Sequence, residues 1–313
     1  MKKVSIMVPC YNEEENVVPM SEALVAQMEQ LPQYDYEILF IDNCSQDNTR
    51  PLLREICAKN PKIKAIFNSK NFGQFNSPYH AICQTTGDCT ITVCCDFQDP
   101  IEMIPKFLTE WENGYKVVIG IKTSSKESKL MYFLRSIYYK MIRKLSKVEQ
   151  IEHFTGFGLY DKSFVEVMRN LDDSTPFLRG IVAELAPNIK RVEYEQAQRR
   201  AGKTSNNFFS LYDAAMLSFT SYTKIGMRMA EFLGILMSAG SALTALVFFI
   251  LKLAIHPAFL YSGTWPIILT ILFVGGLQLF FIGFAGEYIM SMNQRSMKRP
   301  LVVEEERINF DEK

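Results

Sequence analysis

Hydrophobic and polar positions follow two rhythms over the first 121 residues. Short β-rich runs fall at Val4–Pro9, Glu37–Asp42, Ile63–Phe67, Thr90–Cys95 and Lys116–Ile121. Stretches with helical spacing lie between them, at Glu14–Gln30, Thr49–Lys59, Ser77–Thr85 and Ile101–Asn113. The alternation predicts an α/β fold, a mostly parallel sheet with helices on both faces. Ligands on such sheets bind outside the carboxyl ends of the strands. The residues at those ends are polar: Tyr11-Asn12-Glu13 after the first run, Asp42-Asn43 at the second, Asp96 and Gln98 at the fourth.

Further on the pattern changes. Lys126–Lys147 places Leu130, Phe133, Leu134, Ile137, Tyr138 and Met141 at helical spacing among basic residues, a pattern suited to an anionic membrane surface. Phe208–Arg228 reads as a second surface-lying segment. Phe232–Leu251 and Trp265–Gly286 carry no charge over about 20 and about 22 residues, each enough to cross roughly 30 Å of hydrocarbon as a helix. Lys224 and Arg228 precede the first run and Arg295, Lys298 and Arg299 follow the second, while the loop His256–Gly263 has no Lys or Arg. That asymmetry puts both termini on the cytoplasmic side. The expected organisation is a cytoplasmic domain over 1–207, a juxtamembrane amphipathic segment over 208–228, two transmembrane helices within 229–290, and a cytoplasmic tail over 291–313.

Composition narrows the function. Lys plus Arg number 34 and Asp plus Glu 34, so no global basic field argues for nucleic acid. All seven cysteines lie between Cys10 and Cys95 without CxxC spacing, which reads as free thiols in a reducing compartment. The first strand runs into Pro-Cys-Tyr-Asn-Glu-Glu rather than G-x-G-x-x-G, and no G-x-x-x-x-G-K-[ST] occurs. Dinucleotide and P-loop chemistry are therefore set aside.

Asp96 and Gln98 stand two apart at a strand end and can reach one side of a cleft. A carboxylate with an amide oxygen suits Mg²⁺ or Mn²⁺, ions that take few protein ligands and complete their shell with water and phosphates. Asp99 before Pro100 reads as a helix N-cap.

Three segments carry a resemblance: Val8-Pro9-Cys10-Tyr11-Asn12-Glu13-Glu14, Ile41-Asp42-Asn43-Cys44-Ser45-Gln46-Asp47, and Asp96-Phe97-Gln98-Asp99-Pro100. Together they resemble family 2 glycosyltransferases, and within them the polyprenyl-phosphate type, the group of bactoprenol glucosyltransferases and dolichyl-phosphate mannose synthases. Asn71-Phe72-Gly73, Phe177-Leu178-Arg179-Gly180, Arg199-Arg200-Ala201-Gly202-Lys203-Thr204 and Gly286-Glu287-Tyr288-Ile289 extend the match along almost the whole chain.

The resemblance implies a GT-A-type fold, and inverting transfer of one hexose from a nucleotide sugar to polyprenyl (undecaprenyl) phosphate at the cytoplasmic membrane. UDP-glucose is the favoured donor. N-acetylglucosamine, mannose or an aminodeoxy sugar is the alternative, and a catalytically weak membrane scaffold is the second class. By position, Pro9, Tyr11, Asn12, Glu13, Asp42 and Asn43 would hold the nucleoside, with Asp96 beside them. Asp96 and Gln98 would hold the Mg²⁺ or Mn²⁺ that bridges the diphosphate. Arg199 would contact phosphate as a catalytic group alongside Asp96, and Lys122, Arg135 and Arg143 are weaker candidates for the lipid phosphate. A homo-oligomer is compatible with the pattern.

Three positions depart from the family. Cys94 stands where many relatives have a carboxylate, and Asn43-Cys44 replaces the usual Asp-Gly. Phe154-Thr155-Gly156-Phe157 lacks the Asp sometimes proposed as base, which leaves Asp99, His153 and Asp161 as spare candidates. A phosphate monoester is already largely dianionic at neutral pH, so the acceptor needs little deprotonation.

Overall fold

A computed structural model describes residues 1–123, 151–171, 173–197, 200, 265–297 and 299–310, with 216 and scattered helical positions between 232 and 250. Its elements run β1 (Lys2–Cys10), α1 (Val17–Glu29), β2 (Tyr34–Asp42), α2 (Thr49–Lys59), β3 (Ile63–Asn68), α3 (Gly73–Gln84) and β4 (Cys89–Thr92). A 3₁₀ turn at Ile101–Met103 then leads to α4 (Ile104–Glu112), β5 (Val117–Lys122), β6 (Phe154–Asp161), α5 (Lys162–Asn170), α6 (Leu178–Leu185) and β7 (Ile189–Tyr194). The long helix α7 (Trp265–Ser296) and the short strand β8 (Glu304–Ile308) follow.

All eight strands form one sheet in the order β7-β5-β6-β4-β1-β2-β3-β8. β1 pairs in parallel with β2 and β4, β2 with β3, and β5 with β7, whereas β6 and β8 run antiparallel to their neighbours. The expected mostly parallel sheet is therefore present, with two reversed strands the apolar rhythm did not disclose.

Period-2 alternation sends the strand side chains to two separate cores. Val4, Ile6 and Val8 of β1, with Ile38 and Phe40 of β2, pack under α1, α2 and α4 through Met20, Leu24, Leu53, Phe107 and Trp111. Met7, Leu39 and Ile41 point the other way, under α3, α5 and α6, against Tyr79, Ile82, Phe164, Met168 and Val182. Burial on both faces is why these strands read as nearly continuous apolar runs.

The chain leaves β1 toward β2 and β3 on one side, and returns to β4 on the other side of β1. That reversal makes the carboxyl ends of β1 and β4 a topological switch point, where doubly wound sheets open a crevice. β4 ends at Thr92, so Cys94 and Cys95 belong to the loop beyond it rather than to the strand.

The apolar helix extends ten residues past the expected Trp265–Gly286, to Ser296. Within it Phe273–Gln294 is long and apolar enough to cross a membrane, with none of its window buried by protein. Ile271, Phe273, Leu279, Phe280 and Ile282 stand exposed, an apolar area that water would not tolerate on a monomer. The loop His256–Gly263, the basic stretch Lys126–Lys147 and most of Phe208–Leu251 lie outside the described residues, and so does the expected two-helix hairpin.

β8 lies within the stretch read from sequence as a tail. Its sequence Glu-Glu-Glu-Arg-Ile pairs with β3 at Ala65↔Ile308, Ile66↔Arg307, Phe67↔Glu306 and Asn68↔Glu304. Charged side chains on an edge strand blunt further pairing, and here they are met by His80, Arg50 and Arg54.

Candidate active site

The loops after β1 and β2 are laced together. Asn12 donates its backbone N–H to Ser45 Oγ at 2.8 Å, and its side-chain Oδ1 accepts the N–H of Gln46 at 2.8 Å. The N–H of Glu13 reaches Thr49 Oγ1 at 2.8 Å, and Glu14 Oε2 accepts from both the N–H and the side chain of Asn48. Asn12 is thus a bracket between loops. Pro9 lies opposite Ile41 and Cys10 opposite Asp42 in the sheet register, and the Tyr11 ring stands exposed above them, free to offer a stacking face. The Glu13 carboxylate accepts from Asn16 Nδ2 at 2.6 Å.

Asp42 ends β2 fully buried. Its carboxylate accepts the N–H of Ser45 at 3.2 Å and lies 3.2 Å from Arg50 Nε. Burial pushes its pKa up, against the Ser45 hydrogen bonds and the Arg50 charge that pull it down. The neighbouring Asn43 uses its whole amide internally. Nδ2 donates to Asn71 Oδ1 and Gly73 O, and Oδ1 accepts from Asn68 Nδ2 and the Phe72 N–H. Its two donors and two acceptor sites are filled. Asn43 therefore holds the Asn71-Phe72-Gly73 loop in place, and only its backbone faces the crevice loops.

Across the switch point, Asp96 is nearly buried and Oδ1 accepts the N–H of Gln98 at 3.1 Å. The backbone N–H of Arg200 reaches the Asp96 carbonyl at 3.3 Å, and the Arg200 guanidinium lies 5.3 Å from the centroid of Phe97. The basic Arg-Arg-Ala-Gly-Lys-Thr segment is thereby brought to the Asp96 loop at the residue after Arg199, which itself lies outside the described residues together with Arg135 and Arg143. Lys122 closes β5, its N–H bonded to the His153 carbonyl. Three non-glycine residues with left-handed φ, Asn12 at 57°, Cys44 at 64° and Phe97 at 60°, stand in the loops that follow β1, β2 and β4. Strained backbone gathers in this way where a surrounding structure fixes a functional loop.

Asp99 does not cap the helix after it; that 3₁₀ turn has no side-chain cap. Its Oδ2 accepts the N–H of Cys94 at 3.0 Å and Oδ1 accepts from Tyr194 Oη at 3.3 Å. Burial pushes its pKa up to about 6, with the Cys94 amide pulling partly back. Asp161 lies at the opposite end of the sheet, opposite Cys89. There it accepts from Trp111 Nε1, Lys116 Nζ and Ser163 N, which removes it from the spare bases. Sequence reasoning missed Tyr194 and Arg200 as neighbours of the Asp96 loop; the Arg200 signal was the basic segment itself.

All seven cysteines are free, and Cys94 is solvent-exposed. Among the described residues no group of three or more His, Cys, Asp or Glu side chains could hold a metal ion. Asp96 and Gln98 offer two oxygen ligands, which fits a hard divalent ion that takes most of its shell from water and a diphosphate.

The family model "Glycosyl transferase family 2" matches residues 5–168, which covers every element from β1 through most of α5. The chain is 30% identical over 299 residues to the prophage bactoprenol glucosyl transferase homolog of Escherichia coli K12, across 95% of this chain and 97% of that one. It is 29% identical over 300 residues to the bactoprenol glucosyl transferase of Shigella phage SfX, across 95% and 97%. Among solved structures, mannosyl-3-phosphoglycerate synthase from Rubrobacter xylanophilus superposes with a TM-score of 0.50 at 14% identity, over 69% of this chain and 71% of that one. That likeness concerns the fold alone: an α/β sheet of the GT-A type.

Proposed function

The chain belongs to glycosyl transferase family 2, and from that premise we propose that it transfers a single hexose from a nucleotide sugar to a polyprenyl phosphate at the cytoplasmic face of a membrane. Glucose is the favoured sugar and UDP-glucose the favoured donor, following the names of the bactoprenol glucosyl transferases that match nearly end to end. The observation that carries the reading is the switch point of the sheet, with Tyr11 and Glu13 beyond β1 and Asp96 and Gln98 beyond β4.

In this mechanism the Tyr11 ring stacks on the base, and the loop latched by Asp42, Ser45 and Asn12 closes around the nucleoside. Asp96 and Gln98 would hold the divalent ion, which would supply positive charge to offset that of the departing nucleoside diphosphate. Arg199, by its place in the family motif, would add a cation at the same phosphates; its neighbour Arg200 reaches the Asp96 carbonyl through its backbone N–H. One oxygen of the lipid phosphate bonds to the anomeric carbon as the bond from that carbon to the diphosphate oxygen breaks, which inverts the centre. The acceptor is already dianionic, so no proton need be removed. This accords with the segment after His153, where Phe154 is buried, Phe157 packs on Phe107 and Tyr194, and no carboxylate stands.

Membrane association is supported by the exposed apolar helix α7 and by the way the chain leaves it. Glu304 pairs with Asn68, at the carboxyl end of β3, eight residues beyond the last residue of α7. Eight residues span at most about 29 Å, which keeps the carboxyl end of the sheet near the helix and favours an acceptor presented at the interface. β8 shares a sheet with β1–β3, so a chain that crosses a bilayer between β7 and β8 crosses it an even number of times. Phe232–Leu251 supplies the second crossing. On this reading 1–207 and 291–313 lie on one side, joined by 208–228 and a two-helix hairpin within 229–290.

The test uses the full chain in detergent with polyprenyl phosphate and a panel of radiolabelled nucleotide sugars, with and without EDTA. EDTA-sensitive movement of label from one donor into the organic phase supports the reaction and names the sugar. Folded protein that moves no label from any donor would leave a scaffold role in its place.

A further inference from the structure

We propose that the strand following the apolar helix is a working part of the donor site: Glu305 on β8 positions Arg50 against the buried carboxylate of Asp42. The proposal rests on the reading of Asp42 as part of the donor pocket. Arg50 is the second residue of α2, and three groups hold its guanidinium. Nη2 lies 2.8 Å from a Glu305 carboxylate oxygen and 3.4 Å from the carbonyl of Asn68, and Nε lies 3.2 Å from Asp42. The guanidinium carbon sits 5.2 Å from the centroid of the Phe67 ring.

The geometry divides the labour. Arg50 Nε makes no hydrogen bond despite its burial, so its contact with Asp42 is one of charge rather than of aligned donor and acceptor. The direction of the guanidinium is set instead by the two bonds from Nη2, one of them to β8. Arg50 is only 18% exposed, so its charge acts on Asp42 with little screening by water. Arg50 and Glu305 are thus positioning residues: without Glu305 the cation is free to turn outward, leaving Asp42 buried beside Ser45 without the cation that contacts it.

An internal control lies one helical turn along. Arg54 of α2 pairs with Glu306 of the same strand at 2.7 Å and also covers the Phe67 ring, at 4.8 Å. That pair staples β8 to α2 just as the first does, but it ends on Glu306. If β8 acted only as a structural edge, the two pairs would be equivalent. If it acts through Arg50, they differ.

The experiment compares Glu305→Gln and Glu306→Gln in the full chain in detergent. It reads donor KM and kcat, the calorimetric Kd for uridine diphosphate and the melting temperature. Glu305→Gln is expected to raise donor KM and the uridine diphosphate Kd together by about fivefold or more with kcat within about twofold, a loss of ground-state binding. Glu305→Asp should recover part of that loss, and Glu306→Gln should leave both constants as in the unaltered chain. Equal effects of the two Gln variants on KM, or an unchanged KM in Glu305→Gln, would overturn the proposal. Asp42→Asn separates the layers. Unchanged donor binding in that variant would remove Asp42 from the donor pocket and the proposal with it, whereas weakened binding there beside an unaffected Glu305→Gln would overturn the coupling alone.

Discussion

The carboxylate of Asp99 accepts the backbone N–H of Cys94 at 3.0 Å, closing a loop of six residues with Asp96 and Gln98 inside it. The second oxygen of Asp99 takes the Tyr194 hydroxyl at 3.3 Å, so the same side chain ties the loop to the end of β7. A buried acid used in this way shapes the turn that carries Asp96 and Gln98, the proposed metal ligands.

Asp99→Ala should therefore loosen the Asp96 turn and raise the divalent-ion concentration needed for half-maximal transfer by about tenfold. It should also alter the pH dependence of stability. The native pKa, about 6, lies above the ordinary 3.8, so the ionised form is the disfavoured one in the fold. The penalty is present above about pH 6 and is relieved as pH falls toward 4, an effect of about 3 kcal/mol. Thermal melts between pH 7 and pH 4.5 should show the unaltered chain gaining on Asp99→Ala as pH falls; parallel curves would refute this.

Glu37 has the opposite sign. It is buried in β2, which by itself would raise its pKa, but hydrogen bonds from Lys3, Ser5, the Thr86 amide and Lys64 hold it down at about 2. Its contribution is complete above about pH 4.5 and disappears as pH falls toward 2, again about 3 kcal/mol. Glu37→Gln should melt well below the unaltered chain at pH 7, and the gap should narrow below pH 4.5.

Cys44 occupies a left-handed conformation with φ 64°. Glycine accepts that geometry without the Cβ clash, so Cys44→Gly should stabilise the chain by about 1 kcal/mol, visible as a higher melting temperature. Donor KM should change little, since the Asp42–Ser45 and Asn12–Gln46 bonds remain.

Asp96→Ala removes the carboxylate at the centre of the proposed metal site. Transfer should fall by at least about 10³-fold, with the melting temperature within a few degrees of the unaltered chain. Turnover close to that of the unaltered chain, measured by label in the organic phase, would remove the metal-site assignment.

Cys94 is exposed two residues before Asp96, at a position where the family resemblance leads one to expect a carboxylate. A thiol is a poor ligand for Mg²⁺. Cys94→Asp should lower the half-saturating Mg²⁺ concentration by about tenfold and narrow any preference for Mn²⁺. A metal titration with unchanged midpoints would count against this.

Much of the architecture was legible along the chain. Thr49–Lys59 is a helix with the bounds its spacing predicts, and each of the five β-rich runs holds a strand of the sheet. These features are local: a side chain's face follows from a period of two or 3.6 residues, and that period is written in neighbouring positions. The same locality made Asp96 and Gln98 conspicuous, and their spacing already suggested one cleft.

What the tertiary structure decided involves partners far apart in sequence. Glu-Glu-Glu-Arg-Ile at 304–308 reads as solvated tail, because no local rhythm marks an edge strand whose charges are met from outside. Arg50 and Glu305 are 255 positions apart. From sequence Asn43 is one of the residues expected to hold the nucleoside, whereas in the fold Asn68, Asn71, Phe72 and Gly73 fill its side-chain hydrogen-bonding capacity, and Asp99 reads as a cap until Cys94 and Tyr194 turn it inward. Sequence by itself determined which side chains could do chemistry and roughly where the chain would present them. Only folding decided which of those polar groups are spent on each other, because hydrogen-bond capacity is finite and its use depends on which loops meet.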